Sequence, residues 1–404
     1  VAGALPSGLP PAPDGSLPPG ITPNPETPFS AYVHVPYCRV RCGYCDFNTY
    51  TSDELRGSRR ESYVEVVSRE IELAARVMSL AGEGRALDTV FFGGGTPTLL
   101  PARDLVAVLS RLHETFGIAP DAEVTTEANP DSVDSDYFVE LVAGGFTRVS
   151  FGVQSVVPHV LATLDRTHDP ERVGDVIAHA RSAGLDVSID LIYGTPGESL
   201  ADWRHSLESA VGWGVDHVSA YALIIEDGTA LERRIRRGEL SALDDDLHAD
   251  MYEMADEVFS AAGLSWYEIS NWARSPQQQS RHNLAYWRNH DWWGFGPGAH
   301  SHVAGARWWN VKHPAEYERL LNLGLSPAVG YEVPTTAERE LERLMLGLRV
   351  SDGVSAGPVD PAVMSAMVTE GLLNDKAAQS GQLVLTRAGR LRADEVVRRL
   401  AREG

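Results

Sequence analysis

The chain has 404 residues, 43% hydrophobic and 23% charged, which suits a globular protein long enough for one α/β barrel with an appendage. A formal net charge of −21 argues against a general binder of phosphate backbones, and apolar runs such as "VSAYALII" (218–225) are far too short to span a bilayer. The only lysines, Lys312 and Lys376, sit in no glycine-rich or apolar motif, which argues against a Schiff-base lysine.

Residues 1–30 hold nine of the 24 prolines and no Lys or Arg. A targeting peptide needs a basic start, so this reads as a disordered, Pro-rich extension of a cytoplasmic protein.

From residue 32 onward, β-rich runs alternate with helix-period segments. The strands are expected at 32–36, 89–94, 123–129, 148–154, 186–194 and 217–225. Helices are expected near 61–79, 101–116, 133–144, 170–183, 200–211 and 245–262. Six strand–helix units predict a parallel, right-handed α/β sheet, a partial (β/α)6 TIM-like barrel over 31–262. Chemistry in such barrels gathers at the C-terminal ends of the strands.

All three cysteines fall inside "PYCRVRCGYCDFNTY" (36–50), as Cys38, Cys42 and Cys45. An odd count in a cytoplasmic chain does not make a disulfide framework. Structural zinc takes four ligands, and C-x3-C-x2-C has no second pair here; His34 is either a fourth ligand or a strand residue lining a pocket. Three thiolates on one loop can hold three corners of a [4Fe–4S] cluster. The fourth iron then stays open to an amino and a carboxylate group.

The cysteine spacing, the aromatic Tyr44 before the last cysteine, and "GGGTPT" some fifty residues later resemble the radical S-adenosylmethionine proteins. From about residue 31 to the end, the chain resembles the coproporphyrinogen dehydrogenase-like group and, within it, the HemW heme chaperones of actinobacterial type. The resemblance implies a [4Fe–4S] cluster on Cys38, Cys42 and Cys45 whose open iron binds S-adenosylmethionine. It further implies cofactor contacts at Tyr32, Tyr44, Gly94, Gly95, Thr96, Glu127, Gln154, Arg166, Asp190 and Ala222, with backbone contacts near Ala299 and His300. The oxygen-independent coproporphyrinogen III oxidases, which decarboxylate propionates by radical chemistry, are the alternative. They carry a further cysteine where this chain has Phe47, and a structured N-terminal arm where it has a proline-rich tail.

"RHNLAYWRNHDWWGFGPGAHSH" (281–302) contains H-N-x-x-Y-W, a signature that HemW-like proteins share and link to heme. Such a site needs an imidazole for iron and aromatic faces for the macrocycle. His282, Asn283, Tyr286 and Trp287 are therefore the expected heme residues, against a reading of the same side chains as core. His290, His300 and His302 are further candidates. The resemblance implies heme-acceptor apoproteins of the respiratory chain as partners, and leaves homodimerisation and peripheral membrane association open. No nucleic acid or transmembrane segment is expected.

Residues 263–334 are expected to close the barrel. From 335 to 404, helices and a short "LVLT" strand suggest a mainly helical, winged-helix-like domain that docks beside the barrel mouth.

Overall fold

The computed structural model describes residues 6–55, 59–82, 84–241 and 244–402. Six parallel strands lie side by side in chain order: β1 (Phe29–Val35), β2 (Leu87–Gly94), β3 (Ile118–Ala128), β4 (Arg148–Gln154), β5 (Asp186–Tyr193) and β6 (His217–Ala222). Helices α1 (Tyr63–Leu80), α2 (Ala102–Phe116), α3 (Ser135–Ala143), α4 (Pro158–Thr163), α5 (Val173–Ala183) and α6 (Leu200–Gly212) run between them. After β6 come α7 (Ala230–Arg236) and α8 (Asp245–Ala261). The strand periodicity explains this arrangement. In β4, Val149, Phe151 and Val153 are wholly buried, while Arg148, Ser150, Gly152 and Gln154 line a cavity. In β5, Val187, Ile189 and Leu191 likewise join the core, and Ser188, Asp190 and Ile192 face the cavity. One side of each strand drives folding by burying apolar surface, and the other is left for chemistry.

Six further strands extend the sheet to twelve: β7 (Ser265–Glu268), β8 (Asn271–Ala273), β9 (Asp291–Phe295), β10 (His300–Val303), β11 (Ala306–Asn310) and β12 (Ala328–Glu332). β9 pairs parallel with β1, and β10, β11 and β12 follow it antiparallel. β8 pairs antiparallel with β6, and β7 with β8. Sequence periodicity does not predict these strands, because runs such as "DWWGF" and "ARWWN" carry adjacent tryptophans and do not alternate apolar with polar residues. Between them lie α9 (Arg281–Trp287) and α10 (Pro314–Asn322).

Residues 6–28, expected to be disordered, lie instead across the outer strands. Leu9 and Tyr331 exchange backbone hydrogen bonds of 2.8 and 2.9 Å, and the Ser326 N–H donates to Pro13 O at 2.8 Å. The segment covers Trp293 and Trp308 and encloses a cavity of about 270 Å³ with them. Proline gives it few unfolded conformations to lose, so a modest apolar contact is enough to order it.

The C-terminal region comprises α11 (Thr336–Gly347), β13 (Val354–Ser355), α12 (Pro361–Thr369), α13 (Asp375–Gln379), β14 (Gln382–Leu383), α14 (Arg387–Leu391) and α15 (Ala393–Arg402). It has its own core, including Leu348, Met367, Leu372, Leu383, Val396 and Leu400. Thr335 opens α11 with a capping box to Glu338. Arg390 ties the region to the rest: its guanidinium lies 3.0 Å from Asp256 on α8 and 4.4 Å from the ring centroid of Trp266. No helix among the described residues is long and apolar enough to cross a membrane.

Candidate cofactor site

The six parallel strands wrap a cavity of about 530 Å³. Its upper end is the cysteine loop that follows β1. That loop is closed at its base by hydrogen bonds from the Cys38 N–H to Tyr50 O (3.0 Å) and from the Tyr50 N–H to Pro36 O (2.7 Å). Asn48 fastens it from the far side: its Nδ2 donates to Pro297 O at 2.9 Å and Lys312 O at 2.8 Å. Burial pushes the Cys38 thiol up and the Cys45 thiol up to about 12.

The glycines after β2 lie hard against this loop. The Gly95 N–H donates to Val35 O at 2.8 Å, and a Cβ on Gly95 would stand 2.5 Å from Tyr37 O, which only glycine avoids. Arg166 reaches the loop from beyond β4, with Nη1 3.8 Å from Cys42 Sγ and Nη2 2.7 Å from Asn129 Oδ1. Gln154 stands where β4 slips register against β5, with a left-handed φ of 65°. Burial first, and the nearby Asp190 second, raise Glu127 to about 8. Burial also raises Asp190 against hydrogen bonds from Ser219 and Ser150 that lower it.

Ten of the side chains and glycines expected at the cofactor, Tyr32, Tyr44, Gly94, Gly95, Thr96, Glu127, Gln154, Arg166, Asp190 and Ala222, line this cavity together with all three cysteines. His300 does not. It is exposed on β10 beside the Trp309 ring, and its carbonyl accepts from Trp292 Nε1 at 3.0 Å. His302 is buried, with Nδ1 3.0 Å from His290 O and its ring stacked on Trp292.

The H-N-x-x-Y-W segment is α9, and it plugs the N-terminal ends of the strands. Glu123 of β3 accepts from the first backbone N–H groups of the helix, those of Arg281 and His282, at 3.0 Å each. Arg148 of β4 stands 3.5 Å from the same carboxylate. His282 is 1% exposed and forms part of the cavity floor, stacked on Phe91 at 5.0 Å between ring centroids. Its Nδ1 lies 2.6 Å from Thr89 Oγ1 and its Nε2 2.8 Å from the Tyr286 hydroxyl. Burial lowers its pKa to about 3, so the ring is neutral. Asn283 and Tyr286 also reach the cavity, whereas the Trp287 and Asn283 side chains address the buried Glu268 carboxyl.

Arg148, His217, Ser150, Ser188, Ser219 and Thr125 line the cavity without having been anticipated. Their signal was their place at alternate strand positions. Thr125 Oγ1, Arg166 Nε and His217 Nδ1 are buried without a hydrogen-bond partner among the described residues, as fits groups that meet a ligand.

Residues 32–210 match the Radical SAM superfamily. A heme chaperone HemW of Mycobacterium tuberculosis is 47% identical over 95% of this chain and 97% of its own length. The chain belongs to the HemW family. HemW of Bacillus subtilis is 32% identical over 91% of this chain and 97% of its own length. The solved structure of coproporphyrinogen III oxidase (HemN) from Escherichia coli superposes with a TM-score of 0.78, covering 94% of this chain and 91% of its own at 22% identity, which establishes a shared radical SAM fold. Within that fold, this chain has Phe47 two positions after its third cysteine.

Proposed function

We propose that this protein is a heme chaperone, binding heme and passing it to acceptor apoproteins, on a radical SAM scaffold that carries a [4Fe–4S] cluster and S-adenosylmethionine. The observation that carries this is the near-full-length likeness to proteins named as heme chaperones. The finer architecture in this reading is a partial (β/α)6 barrel over β1 to β6, with residues 335–402 as a winged-helix-like docking domain at its side.

Cys38, Cys42 and Cys45 would hold the cluster. They share one loop and one cavity, and among the described residues no three His, Cys, Asp or Glu side chains converge as a single metal ion would require. When bound, the cluster supplies an iron open to the methionyl end of S-adenosylmethionine. The chain's own work is to orient that ligand: Gly94 and Gly95 give backbone access, Arg166 offers an unpartnered donor, and Glu127 and Asp190 offer carboxyl groups.

Heme would meet the mouth of the same cavity, where Val40, Phe47 and Ile224 are 51%, 59% and 67% exposed and give apolar surface to a macrocycle. His282, Asn283 and Tyr286 reach heme only from the floor of the cavity, and His282 Nε2 can ligate iron only once the Tyr286 hydroxyl moves aside. The respiratory acceptors, a homodimer and peripheral membrane contact belong to this proposal.

The test is to incubate the cluster-loaded protein anaerobically, with S-adenosylmethionine and reductant, against coproporphyrinogen III, and separately to mix the heme-loaded protein with an apo heme protein. Heme transfer without carbon dioxide release is expected. Protoporphyrinogen formation would overturn the reading in favour of an oxidase.

A further inference from the structure

Arg166 is placed by the turn that ends α4. The Arg166 N–H donates to Leu161 O at 2.9 Å and the Asp165 N–H to Ala162 O at 3.3 Å, with Asp165 left-handed at a φ of 55°. These are the two hydrogen bonds of a Schellman turn, and Asp is one of the few residues besides glycine that takes its left-handed position. The turn packs on the cysteine loop: a Cβ on Gly43, the residue after Cys42, would collide with Asp165 Oδ2. Arg166 Nη1 comes to rest 3.8 Å from Cys42 Sγ, within reach of an N–H···S hydrogen bond.

The guanidinium brings an uncompensated charge to that sulfur. Nη2 donates to Asn129 Oδ1 at 2.7 Å and to Gly152 O, both neutral, and the nearby Asp131 pairs with Arg39 at 3.5 Å. No carboxylate pairs with Arg166 among the described residues. The other two thiols have neutral hydrogen-bond partners, the Thr96 and Thr49 hydroxyls at Cys38 and the Phe47 N–H at Cys45. Arg41, whose charge reaches Cys38, is itself paired with Glu54 at 3.0 Å.

We infer that Arg166, acting through Cys42, is the positioning residue that raises the reduction potential of the cluster. The inference rests on the cluster reading of the cysteine loop and deepens it. One electron converts [4Fe–4S]2+ to [4Fe–4S]+, so the reduced cluster with its three thiolates carries one more negative charge than the oxidised one. A fixed cation hydrogen-bonded to one of those thiolates stabilises the reduced state more than the oxidised.

The experiment is an anaerobic redox titration of the cluster-loaded protein, with dithionite as the electron donor and the reduced cluster followed by electron paramagnetic resonance. S-adenosylmethionine is left out, so that no contact between Arg166 and that ligand enters the result. Arg166→Gln should lower the ratio of reduced to oxidised cluster at a given potential about tenfold or more, a downward midpoint shift of about 59 mV for one electron. Arg166→Lys, which keeps the charge, should change the ratio by less than about threefold. Arg39→Gln, which removes a charge that is 65% exposed on the same loop, should do the same, because solvent screens it. An unmoved midpoint in Arg166→Gln, or an equal fall in Arg166→Lys, would overturn the inference and leave the cluster reading intact. If Arg166→Gln holds no cluster, Arg166→Lys decides: the wild-type midpoint supports the inference, and a fallen midpoint or an absent cluster overturns it. A wild type that takes up no cluster would overturn both.

Discussion

The Nδ1 of His282 and the hydroxyl oxygen of Thr89 are 2.6 Å apart, joining a helix that plugs the sheet to a strand 193 positions earlier in the chain. The Thr89 hydroxyl donates to Ser30 Oγ at 2.9 Å, so its oxygen accepts the His282 Nδ1 proton and leaves Nε2 to accept from Tyr286. Replacing His282 by Ala leaves the Tyr286 hydroxyl without this acceptor, takes a donor away from Thr89, which still donates to Ser30, and empties the space beside Phe91. Without heme, the variant should lose about 2 to 4 kcal/mol of stability, measured by chemical denaturation. A midpoint equal to the wild type's would show that His282 is not structural and is free for a ligand.

Glu70 gives stability a pH dependence of known sign. It is 1% exposed on α1, accepting from the Gly296 N–H at 2.8 Å, from Asn310 Nδ2 at 2.7 Å and from the Tyr317 hydroxyl, and so joins α1 to the residue after β9, to β11 and to α10. Burial lifts its pKa from 4.5 to about 7. Between those values the folded chain holds a proton that the unfolded chain releases, so this group's contribution to stability falls as pH rises from 4.5 to 7, by about 3 kcal/mol in order of magnitude. Glu70→Gln should flatten that part of the profile, read as a smaller fall in melting temperature from pH 5 to pH 8 than in wild type. A parallel profile would rule out the buried proton.

Arg390 and Asp256 form an ion pair whose side chains are 8% and 11% exposed, beside Trp272 Nε1, which donates to Asp256 at 2.9 Å. Truncating Arg390 removes two charged hydrogen bonds and leaves Asp256 to Arg387, 3.5 Å away, and to Trp272, at a cost of about 2 kcal/mol. In Arg390→Ala, amide exchange should quicken selectively in residues 335–402. Unchanged protection there would mean that the pair does not hold the C-terminal region to α8.

Removing residues 1–19 uncovers the aromatic side chains beneath the tail. Trp293 and Trp308 line the tail's cavity, and Gly8 packs so closely on Trp309 that a Cβ would lie 2.6 Å from its ring. The shortened protein should show red-shifted tryptophan emission and a lower melting temperature. Emission identical to the full chain's would mean that the tail does not cover these rings in solution.

Sequence reasoning reached what local pattern controls. The alternation in "RVSFGVQ" and "DVSIDLIYG" assigns Val149 and Ile189 to the core and Gln154 and Asp190 to the site, because neighbouring strand residues point to opposite faces. The cysteine loop was legible for a different reason, its spacing. The role of α9 was not legible, because the hydrogen bonds of His282 depend on Thr89 and Glu123, brought near only by the folded sheet. The course of His300 was hidden for a similar reason: the turn between β9 and β10 carries its side chain outward, to Trp309. The course of the tail was hidden because proline-rich composition describes a lone segment and takes no account of the tryptophans it meets.

The most direct measurement is an anaerobic heme titration of the cluster-loaded wild type, followed by absorption, beside His282→Ala and Phe47→Ser. Saturable binding by the wild type, weakened by Phe47→Ser, is the predicted result, and the His282→Ala curve shows whether the floor imidazole reaches the iron. No saturable heme binding by the wild type would contradict the account and leave a porphyrinogen enzyme as the reading to pursue.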